Sequence, residues 1–304
     1  MAIPVILDTD IGTDIDDTWA LAMLLQSPEL DLRLITMATG DTRYRAALTA
    51  RMLEVLGRTD IPIAIGRSID EVDSTQKAWL EGYDLQQYPG VILADAAAAI
   101  VDMVMKSEEQ ITIIAIAPLT NIADALELEP RIADRALFVG MHGSIYRKYD
   151  GMEGADAEWN VIKDLAASKI TFAAKWPMVI TPLDTCGNVR LTSNDMQRLA
   201  ASSSPLVQMI LENYRVWLEY YHSKNPEDGW ITGQPLLRSS ILFDTVAVHL
   251  AHSHEFLKME KMGVRVDDKG FTVVDPNAPV MEVAIDWEDK AGFQQMLMKR
   301  LLGE

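Results

Sequence analysis

VILDTD at residues 5–10, LRLITMAT at 32–39 and IPIAIG at 61–66 are short, β-branched apolar runs, separated by stretches of helical period over about 16–26 and 43–57. Strands that alternate with helices in this way form βαβ units, whose strands lie parallel and are covered on both faces. Working outward, the periodicity predicts a helix near 94–107, the strand ITIIAIA at 111–117, a helix from Leu119, strands ALFVGM at 136–141 and VITPLD at 179–184, and helices around 193–222 and 241–252. The late stretches LKMEKMGVRVD, GFTVVD and APVMEVAID read as a small antiparallel addition, and a helix over about 288–302 closes the chain. The expected architecture is α/β: an open, mostly parallel sheet flanked by helices, with an antiparallel part near the C-terminus. Between 67 and 93 the pattern lapses around Trp79, Gly82, Tyr83, Tyr88, Pro89 and Gly90, and a segment this long without periodicity reads as a mobile loop beside a functional site.

No repeat, low-complexity tract or linker divides the 304 residues, so one domain over 1–304 is expected. Hydrophobic residues make up 49% and charged residues 24%, an ordinary globular balance. The net charge of −18, from 45 acidic and 27 basic side chains, argues against a nucleic-acid backbone or an anionic membrane as partner. With one cysteine, Cys186, the chain forms no intrachain disulfide, which suggests a reducing compartment and a thiol that packs as a small hydrophobe. The N-terminal MAIPVILDTD lacks a basic segment and is acidic by residue 8, unlike a signal peptide, and no apolar run approaches the roughly 18 residues that span a bilayer. A cytoplasmic location is expected.

Five carboxylates, Asp8, Asp10, Asp14, Asp16 and Asp17, fall within ten residues where the first strand ends. Ligands of open α/β sheets bind at that edge. Like charges at this density repel unless a cation or hydrogen-bond donors neutralise them, and clustered hard oxygens suit Ca²⁺, with Mg²⁺ second, rather than Zn²⁺. A simpler role for Asp14 or Asp16 is to cap the following helix. An EF-hand fits poorly, because Gly12 would be the fifth loop residue counted from Asp8 and the glycine of that loop is the sixth.

Asp8-Thr9-Asp10-Ile11-Gly12, followed by Asp16-Asp17-Thr18-Trp19-Ala20, resembles the opening Asp-Thr-Asp-x-Gly-x-Asp-Asp-x-x-Ala of the inosine-uridine-preferring nucleoside hydrolases, with two additional residues before the paired aspartates. Pro118-Leu119-Thr120-Asn121, Ala157-Glu158-Trp159-Asn160 and Phe243-Asp244 are similar to three later family segments, in the same order. The resemblance implies a Rossmann-like core and a metal held by Asp10, Asp17, Asp244 and the backbone carbonyl of Ile116. It further implies ribose contacts from Asp16, Glu158 and Asn160, and it places Asp41 at a family asparagine position, although Asp41 could equally cap the helix that begins near Arg43. The substrate would be a nucleoside or other N-riboside, and the assembly a homo-oligomer, dimer or tetramer.

The chemistry such residues would perform is attack by an activated water on an N-glycosidic bond, with Asp10 as the base and the cation lowering the water's pKa. Fixed carboxylates and amides around the ribose hydroxyls would discriminate against deoxy sugars. Family members with histidine at position 243 are expected to protonate the leaving base there, and Phe243 cannot. His142, counted among the substrate-binding candidates, and His222, Tyr83 and Tyr221 are alternative donors. Trp79, Tyr88, Trp217, Tyr221 and Trp230 could stack on a base, and Asn225–Trp230 could form a second flap. Two other classes remain open. A haloacid dehalogenase-type phosphatase would use Asp8 as a covalent nucleophile, and a sugar-binding protein would keep the cage without turnover.

Overall fold

Val5 and Leu7 face one side of the first strand and Ile6 the other, and all three are fully buried, as a strand covered on both faces requires. In the computed structural model, which describes residues 2–224 and 237–304, the parallel strands are β1 (Ile3–Thr9), β2 (Leu30–Met37), β3 (Ile63–Ile65), β4 (Ile92–Leu93), β5 (Ile111–Ala115), β6 (Ala136–Met141) and β7 (Met178–Thr181). They are followed by β8 (Leu257–Val266), β9 (Thr272–Val274) and β10 (Val280–Trp287). Among the described residues these ten strands form one sheet in the order β4-β3-β2-β1-β5-β6-β7-β10-β8-β9. The antiparallel part lies where the late stretches place it and joins the parallel sheet through β10, which pairs with β7 in parallel and with β8 antiparallel, while β9 runs antiparallel to β8.

Helices α1 (Asp16–Leu25), α2 (Thr42–Val55), α3 (Ala96–Lys106), α4 (Thr120–Leu128), α5 (Trp159–Lys163) and α6 (Leu165–Ala173) alternate with the strands. After β7 come α7 (Leu183–Cys186), α8 (Ser193–Ala200), α9 (Pro205–Lys224), α10 (Thr245–Leu250) and α11 (Lys290–Leu302). One core, containing Leu7, Trp19, Leu48, Val207, Val246 and Leu297, lies under α1, α2, α9, α10 and α11, and the other, containing Ile6, Ile100, Ile122 and Phe172, lies under α3, α4 and α6. Where one helix is expected over 193–222 there are two, because Pro205 has no N–H to continue the first and begins the second instead. Among the described residues no helix is long and apolar enough to cross a membrane.

Strand order reverses at β1, which pairs with β2 on one side and β5 on the other. The crevice beyond the carboxyl ends of β1 and β5 is where such a sheet receives a ligand.

Candidate active site

The loop that leaves β1 is built to hold carboxylates inward. Gly12 adopts φ +105°, and a Cβ there would lie 2.6 Å from the Tyr44 ring. The Tyr44 hydroxyl donates to the Gly12 carbonyl at 3.0 Å and accepts from the Gln76 amide at 3.0 Å. Arg45, only 1% exposed, donates to the carbonyls of Thr39, Ile11 and Asp10 and to the Thr13 hydroxyl, so a cation clamps the loop from behind. The irregular segment is pinned to the same loop. The Thr75 hydroxyl donates to the carbonyls of Gly12 and Thr13, while Gln76 accepts from Thr18 and donates to the Asp14 carbonyl.

Asp16 and Asp17 occupy the first turn of α1, whose positive end favours them. Neither caps the helix, nor does Asp14, whose carboxylate accepts from the adjacent Ile15 N–H. Asp244 precedes α10, and its carboxylate makes no capping bond. The carboxylate oxygens of Asp16, Asp17 and Asp244 lie within 4.8 Å of one another, and all three side chains are buried. The Thr9 hydroxyl donates to Asp17. Burial and mutual repulsion push the Asp16, Asp17 and Asp244 carboxyls far above the usual carboxylate range, and burial raises Asp10 while Arg45 opposes it. Acids so crowded and buried suit a hard divalent cation.

A cavity of about 270 Å³ contains these groups. Its lining includes Asp10, Asp16, Asp17, Ile116, Glu158, Asn160 and Asp244, together with Asp14 of the two-residue insertion. Ile116 follows β5, and its N–H donates to the Asp8 carbonyl at 2.8 Å, which ties the two strand ends together. Asp8 itself lies fully buried, accepting from Thr36 at 2.5 Å and Asn121 at 2.8 Å, and burial moves its carboxyl up to about 7. Glu158 caps α5 and accepts from the backbone N–H of Gly143, Asn160 and Val161, yet burial still raises it to about 7. Asn160 donates to the Met141 carbonyl at 3.1 Å.

Two of the expected substrate residues stand elsewhere. Asp41 is exposed and caps α2 by accepting from the Tyr44 N–H, the simpler of its two readings. His142 is fully buried behind the lining, with Nε2 at 3.0 Å from the Ala117 carbonyl, and burial lowers it to about 4. Neither lines the cavity. Of the other proposed donors, Tyr83 gives its hydroxyl hydrogen to Glu54 and His222 is exposed, and only Tyr221 reaches the cavity.

Among the aromatic candidates, the indole N–H of Trp79 donates to Glu212, Tyr88 is buried in the core, and Trp217 stacks on Tyr214. Trp230 and the Asn225–Trp230 flap lie outside the described residues. Tyr221, also one of the candidates, does line the cavity, and it shares the aromatic wall with Tyr149, Trp159 and Phe243. Arg45 and Tyr149 escape sequence reasoning because neither belongs to a motif and each reaches the site only through folding.

Residues 5–295 match the family model described as inosine-uridine preferring nucleoside hydrolase. The chain is 32% identical over 326 aligned positions to the pyrimidine-specific ribonucleoside hydrolase RihA of Escherichia coli, covering 99% of each. It is likewise 32% identical to the RihA of Citrobacter koseri over 99% of this chain and 98% of that one. A plant nucleoside hydrolase, PpNRh1, superposes with a TM-score of 0.82 over 100% of both chains at 22% identity. A purine-preferring ribonucleoside hydrolase from Gardnerella vaginalis superposes with a TM-score of 0.78 over 99% of this chain and 98% of that one, at 23% identity.

Proposed function

Because the chain belongs to the inosine-uridine preferring nucleoside hydrolase family and so hydrolyses the N-glycosidic bond of ribonucleosides, we propose that residues 1–304 act as one unit with a divalent cation, Ca²⁺ ahead of Mg²⁺, at Asp10, Asp17, Asp244 and the Ile116 carbonyl. The observation that carries this reading is the convergence of the buried Asp16, Asp17 and Asp244 carboxylates in a cavity that Asp10 and Ile116 also line. When bound, the cation supplies the positive charge that offsets these carboxylates and makes a nearby water more acidic.

Asp10 takes the proton of the attacking water, held in place by the Arg45 clamp on its backbone. Asp16, Glu158 and Asn160 bind the ribose hydroxyls, and a deoxy sugar would leave their buried polar groups unpaired. Because Glu158 already accepts three backbone N–H groups, its contribution is to orient the Glu158–Asn160 turn as well as to touch the sugar. Asp41 and His142 stand outside the cavity, as a helix cap and a core side chain. The enzyme works in the cytoplasm as a homo-oligomer.

The test is release of ribose and base from a panel of ribonucleosides, pyrimidines first because the RihA relatives are named for them. Release that disappears with chelator and in Asp10→Asn supports the reading. Binding of nucleoside without release by the wild type would favour a sugar-binding protein instead, for which Phe243 is the motive.

A further inference from the structure

The departure of the base needs something to meet the charge that develops on it, and Phe243 offers no polar atom. Resting on the function proposed above, we propose that Tyr149 is the substrate-touching residue that does this, its hydroxyl donating a hydrogen bond to the departing base. Tyr149 lines the cavity and meets the Phe243 ring edge-on, with centroids 5.8 Å apart and planes at 86°. The two rings thus form one wall at the position where the resemblance places the leaving-group contact. The tyrosine brings to that wall the O–H that phenylalanine lacks.

Tyr149 is held rather than loose. It opens a short 3₁₀ turn, Tyr149–Gly151, in which the Asp150 N–H donates to the Gly187 carbonyl at 3.0 Å and the Asp150 carboxylate pairs with Arg190 at 3.0 Å. Burial and the nearby Glu158 hold the phenol neutral across the working range. Tyr221, the other tyrosine of the cavity, packs its ring on Trp217 at 4.9 Å instead.

The proposed step moves no proton from the tyrosine. The C1′–N bond breaks as the water oxygen bonds to C1′, Asp10 receives the water's proton and then releases it to solvent, and the base, stabilised by the Tyr149 hydrogen bond, takes up a proton from solvent. Water supplies both hydrogens of the products.

The experiment compares wild type with Tyr149→Phe on uridine and inosine and on para-nitrophenyl riboside, whose leaving group departs without help. The variant should lose about 10- to 100-fold in kcat on the nucleosides, the size of a hydrogen bond to developing charge, with little change in KM. Its rate on para-nitrophenyl riboside should stay within about threefold of wild type, which also reports that the site is folded. Equal losses on both substrate classes, or no loss on nucleosides, would overturn the role of Tyr149 while leaving the hydrolase reading intact. A wild type that cleaves neither class would overturn the hydrolase reading and this proposal with it.

Discussion

Replacing Gly12 by alanine tests whether the loop after β1 is a strained, clamped structure. The backbone there has φ +105°, a region an L-residue enters at a cost of about 1–3 kcal/mol. The new methyl would sit 2.6 Å from Tyr44 Cε1 and 2.8 Å from its hydroxyl oxygen, so the ring must move. Moving it breaks the bonds from the Tyr44 hydroxyl to the Gly12 carbonyl and from the Gln76 N–H to that hydroxyl, worth about 1 kcal/mol each. The expected loss is about 3–5 kcal/mol, or roughly 5–8 °C in Tm for a chain of 304 residues. Calorimetry or circular dichroism reads the Tm, and isothermal titration with Ca²⁺ reads whether Asp10, Asp16 and Asp17 still converge. A fall in Tm below about 2 °C would show that the loop accommodates a side chain freely and would refute the argument.

Arg45→Lys should cost about 2–4 kcal/mol in urea unfolding, because an ammonium cannot reproduce the planar set of bonds from Arg45 to Thr39, Ile11, Asp10 and Thr13. A variant as stable as wild type would remove the clamp from the account. Glu158 gives a pH signature. Its folded value, near 7, lies above its ordinary 4.5, so its stabilising contribution is complete below 4.5 and is lost as pH rises through 7. Stability measured from pH 4.5 to 8 should therefore fall by about 3 kcal/mol more in wild type than in Glu158→Gln, and parallel profiles would contradict this. Asp244→Asn should abolish the rise in Tm that saturating Ca²⁺ gives the wild type, since a ligand stabilises only the state that binds it. An undiminished rise would place the cation elsewhere.

Much of the fold could be read from residues alone because its strands are buried on both faces and leave continuous apolar runs, such as VILDTD and ITIIAIA, while its helices keep their own period. Helices α5 and α6 went unread, since the stretch from Trp159 to Ala173 mixes exposed Trp159, Ile162 and Ile170 with polar residues and shows no clean apolar face. The direction of β10 was equally hidden, because alternation marks a strand but not which neighbour it pairs with.

The density of aspartates after β1 is a local property, and so the sequence by itself determined that a charged, cation-seeking site stands at the carboxyl end of the first strand. Tertiary structure alone decided who joins it. Asp244 comes to within 4.8 Å of Asp16 and Asp17 only because α10 packs against α1, and Tyr149 meets Phe243 only through the turn that Gly187 and Arg190 hold. It likewise left Asp41 on a helix cap and enclosed His142 among Phe138 and Phe172. Residues close in the chain reveal their shared chemistry by spacing, whereas contacts across more than two hundred residues depend on how the sheet orders its strands and packs its helices.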